Sequence, residues 1–413
     1  MRILLINHYA GSPRHGMEFR PYYLAREWVA AGHEVHIVAA DQSHLRQRGP
    51  CLGGRDWLDE DIDGIHYRWL ATPRYQGNGL SRARNLAAFV QSLWRLAPAL
   101  ARQWRPEVVI ASSTYPADIW PARRIARLAG ARLVFEVHDL WPLSPMELGP
   151  MSRWHPFIVL MQAAEDYAYR HADRVVSILP KVGPHMAAHG LDLSKLHIVP
   201  NGVAVAEWRA GGASLSPALA SLFAQWRAQG RLVVGYAGSH GLANALHILL
   251  QAADLLRELP LVFVLAGQGP EKAQLRALAS ELQLRQVHFL APLPKPQMPA
   301  LLAQFDIAYL GWRRQSLYRF GIAPNKLGDY MMAGCPIVHA VDAGNDPVRE
   351  AGCGLSVPPE DPAALARALR SLAAMAPDAR RALGRRGREH ALRHLDYAVL
   401  ASRFLSACVE ESP

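Results

Sequence analysis

The chain has 413 residues, half of them hydrophobic and 19% charged, which suits two globular domains better than one. A net charge of +10 and a pI near 9.7 favour anionic partners (nucleotides, anionic lipid or nucleic acid) without choosing among them. Four cysteines without a CxxC, and no His/Cys cluster at ligand spacing, argue for a reduced, cytosolic chain with no metal centre. No run of about 18 apolar residues offers a transmembrane span.

"RILLIN" (2–7) reads as a buried first strand rather than a signal-peptide core, and the amphipathic stretch 17–32 that follows ends at Gly32. Strands are expected at 33–40, 106–113, 131–139 and 172–179, each after a helical pattern. The rhythm restarts at 231–238, 261–267, 286–291, 305–311 and 335–340. Continuous apolar strands alternating with helices imply a parallel sheet covered on both faces. The Gly/Ala/Ser/Pro-rich stretch 199–217 suits a linker. The expected architecture is α/β, with two doubly wound, Rossmann-like domains facing across a cleft: 1–205, 206–390, and a terminal helix, 391–413, packing back on the first. Ligands of such sheets sit at the carboxyl ends of the strands.

Several stretches carry candidate chemistry. "GSPRHGMEFR" (11–20) places Gly16, Met17, Glu18 and Arg20 between the first strand and helix, as a ligand-facing turn or as a simple loop. "LDEDID" (58–63) spaces aspartates for a divalent metal, but a solvated turn is favoured. The segment 80–106 mixes apolar positions at helical spacing with five arginines. It suits a core helix with a basic outer side, or one that docks on anionic lipid. "VFEVHDLWP" puts His138 and Asp139 at the end of a buried strand, where an imidazole can meet a sugar hydroxyl or serve the fold alone.

In the second half, "GSHG" (238–241) brings Gly238, Ser239 and His240 between a strand and a helix, for anion approach or for tight packing. Gly267 and Gly269 begin a dinucleotide fingerprint whose third glycine is replaced by Lys272, which argues against a Rossmann dehydrogenase. In "PNKLGDYMMAGCPIV" (324–338), Pro324 presets helical φ and Asn325 is placed to cap. Lys326 opposes the helix dipole unless a phosphate binds there, and Asp329 shares its face at i+3. A surface ion pair is the plainer alternative.

Taken together, 265–311, "IVPNGV" (198–203), "PNKLGDYMMAGCPIV" and "VFEVHDLWP" resemble the GT-B retaining glycosyltransferases of family 4. Residues 7–28 are similar to a bacterial O-antigen and capsule branch that includes L-fucosamine-type transferases. The resemblance implies a nucleotide-diphosphate-sugar donor, a UDP-sugar by expectation, held by the second domain. It also implies a saccharide or lipid-linked acceptor on the first, no nucleic acid, no metal and no cofactor. Asp329 would hold the ribose, the 322–326 amides (Ala323, Pro324 and Asn325 among them) with Lys326 the diphosphate, and Leu293 the base. His138 would lie by the transferred sugar, and Gly16 on the acceptor side. Gly321 stands where the family often has a second acid. "GSHGLAN" lacks the family's Arg and Lys, so neutralisation falls on Lys326, helped by Arg313, Arg314 or Arg319. A cytoplasmic enzyme, peripheral on the membrane, is expected. A nucleotide-sugar 2-epimerase and a non-catalytic binding subunit remain as alternatives.

Overall fold

The computed structural model describes residues 1–46, 48–77 and 79–409. It forms two compact units, one of residues 1–200 with the stretch from Tyr397 on, the other Asn201–Asp396. The boundaries at 200/201 and 396/397 fall a few residues from those expected at 205/206 and 390/391.

The first unit is built on an eight-stranded sheet. Its strands are β1 (Arg2–Ile6), β2 (Glu34–Ala40), β3 (Trp57–Ile62), β4 (Ile65–Leu70), β5 (Val108–Ala111), β6 (Arg132–Val137), β7 (Arg174–Ser177) and β8 (Leu196–Ile198), in the order β3-β4-β2-β1-β5-β6-β7-β8. All pair in parallel except β3, which runs antiparallel to β4. The strand order reverses between β1 and β5, where Ile3 pairs with Val35 on one side and Val108 on the other. This is the switch point at which doubly wound sheets open a site.

The sequence reading misses β3, β4 and β8, and takes 58–63 for a loop. Asp59, Glu60 and Asp61 stand in succession on β3, so it lacks the apolar run that marks a central strand. It is an edge strand whose charges are met from across the sheet. Arg68 donates to both Asp59 oxygens (2.6 and 2.7 Å), His66 pairs with Asp61, and Tyr22 donates to Asp63. These aspartates are thus spent on protein partners. The terminal helix Tyr397–Val409 buries Leu400 and Phe404, takes a 3.0 Å bond from Trp28 Nε1 at Ala401 O, and ties to β8 through Arg403 and Ile198 O.

The second unit has six parallel strands: β9 (Leu232–Ala237), β10 (Leu261–Ala266), β11 (Val287–Leu290), β12 (Ile307–Gly311), β13 (Ile337–Ala340) and β14 (Gly354–Val357), ordered β11-β10-β9-β12-β13-β14. Successive residues feed opposite cores. Leu261, Phe263 and Leu265 join one apolar cluster, while Val262 and Val264 join the other. That double burial explains the unbroken apolar runs. β14 was not anticipated; its residues are only half-buried and carry a serine. The helix Asn325–Ala333 seats against β9 because Tyr330 OH takes a bond from Ala237 N (2.9 Å) and donates to Ala237 O (3.2 Å).

Candidate active site

In the first unit the carboxyl ends of β5 and β6 hold a buried network. Glu136 on β6 is fully enclosed, and Arg20, at the start of the helix Arg20–Ala30, reaches it with Nε at 2.9 Å. The same guanidinium donates to Val199 O and Pro200 O, so it is held on three sides. Ser112 Oγ donates to Glu136 Oε2 (2.6 Å) and accepts from Asn7 Nδ2 (3.1 Å). His138 Nε2 lies 3.0 Å from that hydroxyl and 3.3 Å from Glu136 Oε2. The hydroxyl's one proton is already given to Glu136, so Nε2 must carry a hydrogen and Nδ1 is the acceptor left for a ligand. Burial alone would raise the Glu136 carboxyl, but Arg20, His138 and the Ser112 bond hold it down at about 2. A negative charge therefore sits behind His138 and fixes its tautomer.

Asp118 is the second acid of this region. Its Oδ2 accepts from Ser113 N (3.1 Å), Oδ1 is buried without a partner, and burial pushes it up to about 7.

Two of the expected residues have other tasks. Asp139 accepts from Leu140 N, Ser144 Oγ and Trp141 Nε1, which makes it the clamp of its own loop rather than a group facing a substrate. Arg20 is buried in the Glu136 network, not offered to an acceptor. Gly16 closes a tight turn through Ser12, bonded in both directions (3.0 and 2.8 Å). Met17 is exposed and Glu18 half-buried, its Oε1 3.4 Å from Arg20 N.

In the second unit the expected phosphate site converges on the ends of β9 and β10. Gly238 and Gly267 both have φ of +148°. A Cβ on Gly267 would lie 1.9 Å from Gly238 O, and one on Gly238 would lie 2.3 Å from Lys326 Cε, so backbone approaches backbone and the lysine lies over both. Lys326 Nζ donates to Asn244 Oδ1 (3.1 Å) and sits 5.5 Å from the Tyr236 ring. Among the described residues no carboxylate pairs with it, and burial pushes it down to about 8. Tyr236 OH and Asn244 Nδ2 both donate to Ser239 O, which fixes the turn. His240 is wholly buried with both ring nitrogens unpartnered, and burial, then Lys272, pushes it down to about 4; it is a neutral packing group under this turn.

Pro324, not Asn325, is the residue preceding the helix, with φ −72° and ψ 131°, and no side chain caps the first turn. Its leading amides are open to an anion. Asn201 Nδ2 holds Ala323 O (2.8 Å), and Asn345 grips Ile322 at both N and O, so the approach loop is rigid.

Asp329 does not share a partner set with Lys326. Its Oδ1 accepts from Trp208 Nε1 (3.1 Å), beside Glu207 and Lys295, and burial raises it against the lowering pull of the Trp208 bond. Leu293 is half-buried against the core. Arg319 bonds to Ser316 O and covers Phe320. Arg314 is exposed, and Arg313 Nε is buried without a partner.

The sequence reading missed Glu136, Ser112, Asp118, Asn244 and Trp208. Only Glu136 gave a signal: an acid inside the apolar run "VFEVH" must be paired if it is buried. The fold also assembles Glu165, His185 and His189, with ligand atoms within 4.8 Å of one another, although no such cluster was expected. The Gln162 amide already donates to Glu165 (2.9 Å), and His189 pairs with Asp166.

Two parallel sheets with these strand-end sites define the GT-B fold. Residues 15–202 match the model of the glycosyl transferase 4-like domain, and residues 231–375 that of the glycosyl transferases group 1. The chain therefore carries both glycosyltransferase domains. It is 26% identical over 325 residues to WcaI of Escherichia coli K12, named as a colanic acid biosynthesis glycosyl transferase, covering 77% of this chain and 78% of that one. Among solved structures it resembles sucrose-phosphate synthase from Thermosynechococcus elongatus (TM-score 0.72, 16% identity, 98% of both chains). It also resembles HepE from Anabaena in complex with UDP and glucose (TM-score 0.67, 16% identity, 98% of both). No described helix is long and apolar enough to cross a membrane.

Proposed function

We propose that the protein is a retaining, metal-independent glycosyltransferase of bacterial surface polysaccharide synthesis. It takes its sugar from a nucleotide-diphosphate-sugar, a UDP-sugar in the first instance. The observation that carries this reading is Lys326, a half-buried lysine with no anionic partner among the described residues, beside an uncapped helix N-terminus and two glycines that open the backbone. A diphosphate supplies the missing counter-charge and accepts the free amides at once. UDP in the HepE structure and the colanic acid role in WcaI's name support the donor and the pathway class.

The second unit holds the donor and the first orients the acceptor. As the bond from the anomeric carbon to the diphosphate breaks, the acceptor oxygen bonds on the same face and its proton passes to the departing phosphate oxygen. Lys326 and the helix amides stabilise the charge on that phosphate. His138, fixed by Ser112 and Glu136, offers Nδ1 to a hydroxyl of the transferred sugar.

A thermal-shift panel of UDP-, GDP-, ADP- and dTDP-sugars tests donor use, because a ligand that binds only the folded state stabilises it by mass action. A fucosamine-type donor included in the panel tests the narrower likeness of residues 7–28. No shift with any member overturns the reading. The anomeric configuration of the product, read by NMR, tests retention, and full activity in the presence of chelator tests metal independence.

A further inference from the structure

We propose that the first unit carries a zinc site, built by Glu165, His185 and His189, that fastens the short helix Gly183–Ala188 to the long helix Pro156–His171. It shares no residue with the groups assigned above to sugar transfer, and it does not rest on that reading.

The need for a fastener follows from length. Six residues make under two turns, too few to hold a helix by themselves, and among the described residues of Gly183–Ala188 only Met186 is buried. His185 and His189 lie one turn apart on its inner side, with ring centroids 4.7 Å apart. That side meets Glu165, which is buried in the longer helix: His185 Nε2 stands 3.4 Å from Glu165 Oε1.

The hydrogens available do not complete this cluster. Gln162 Nε2 lies 2.9 Å from Glu165 Oε2, 2.7 Å from Asp166 Oδ1 and 2.9 Å from His189 Nδ1, and the last two atoms are themselves 2.9 Å apart. The amide nitrogen has two hydrogens for three neighbours. With the carboxylates ionised, a hydrogen on Nδ1 serves Asp166 but sets donor against donor at Gln162. A bare Nδ1 sets lone pair against lone pair at Asp166. Turning the amide over points its oxygen at both carboxylates. A cation that takes the His189 lone pair removes the conflict, because the ring then needs no hydrogen at Nδ1 and Gln162 has two hydrogens for two carboxylates. Glu165 has lone pairs enough to accept from Gln162 and from Tyr169 OH (2.8 Å) and still to ligate.

The donor set selects the ion. Two imidazoles and one carboxylate form a set that zinc takes, whereas magnesium and calcium take oxygen ligands. Tetrahedral bonds of about 2.0–2.2 Å put neighbouring ligand atoms about 3.3–3.6 Å apart. The His185–Glu165 pair already stands at 3.4 Å, and all three ligand atoms lie within 4.8 Å of one another. The His189 side chain is 30% exposed, which leaves an entry path and room for its ring to close the remaining distance.

The test uses the full chain without an affinity tag, dialysed against chelator and titrated with zinc and with magnesium by calorimetry. One zinc per chain is expected, magnesium is expected not to bind, and His189→Gln is expected to weaken zinc at least tenfold. Zinc should raise the melting temperature of the wild type and leave that of His189→Gln unchanged. The unaltered chain gives a second readout that no folding defect can blur. Zinc should protect His185 and His189 from diethyl pyrocarbonate, read by peptide mass spectrometry. Equal modification of both histidines with and without zinc overturns the proposal. So does zinc binding that is as tight in His189→Gln as in the wild type, or a melting temperature that zinc does not move. These readouts need no nucleotide-sugar, so a failed donor panel with a zinc-protected chain overturns the transferase reading and leaves this site standing.

Discussion

In the first unit the buried ions of the candidate site answer one another: Arg20 meets Glu136, and Glu136 backs Ser112 and His138 at 2.6 and 3.3 Å. In the second unit Lys326 is half-buried with an amide oxygen and an aromatic face for company, and no carboxylate among the described residues. In the first site the Arg20–Glu136 pair is met without a ligand and serves to position. The other carries a charge that meets no carboxylate, and a bound anion would supply its counter-charge. The difference predicts opposite responses to substitution, since removing an ion from a compensated pair exposes its partner, while removing an unpaired cation exposes nothing.

The largest effect is expected from Arg20→Met, which leaves the buried Glu136 carboxylate without its guanidinium partner. A loss of about 3–5 kcal/mol is expected in chemical denaturation at pH 7, with much of it restored in Arg20→Met/Glu136→Leu. A stable single variant would show that the pair is not coupled. The pH dependence has a definite sign. Glu136 is held at about 2 when folded, below its unfolded value near 4.3, so its contribution is complete above that value and lost as pH falls toward 2. The double variant should lack this acid limb.

Next in size is His138→Ala, which removes a group of the positioned site without unpairing a buried charge on the scale of Arg20. Turnover should fall about 100-fold or more, with nucleotide affinity unchanged, and equal losses in both would move His138 into the donor site.

How much of this was legible beforehand follows from where each signal lives. The alternation of apolar strands and helices gave both sheets, because double burial leaves a local trace. Strand β3 left none, since an edge strand with Asp59 and Asp61 facing cross-strand partners looks like a polar loop until Arg68 and His66 are placed opposite. His138 and Lys326 were visible as motif residues at strand and helix ends. Their partners Ser112 and Asn244 were not, because each lies 26 or 82 residues away and is an ordinary loop polar residue. The same limit explains Asp139, whose position promised chemistry while its three bonds go to its own loop.

Lys326→Met sharpens the contrast from the other side. Loss of a charge-assisted bond of about 1.5–3 kcal/mol lowers nucleotide-diphosphate affinity about 10- to 100-fold, while thermal stability without ligand should hold or rise. A fall in stability like that of Arg20→Met would erase the distinction between the two sites. With Lys326 held down at about 8, binding an anion must draw a proton onto it at higher pH. Affinity should therefore decline as pH rises through about 8, with proton uptake in calorimetry, and Lys326→Arg should flatten that decline.

The smallest effect tests the helix as a whole. Asp329→Asn keeps an oxygen for Trp208 Nε1, so the fold is expected to stand. What it removes is a negative acceptor for a ribose hydroxyl, about 1 kcal/mol and thus about fivefold in affinity. Titrating UDP against its 2′-deoxy analogue separates the two parts Asp329 could play. If it holds the ribose, wild type prefers UDP and the variant loses most of that preference. If it serves only Trp208, the preference is the same in both, and the second unit's nucleotide site then consists of Lys326 and backbone amides without a carboxylate.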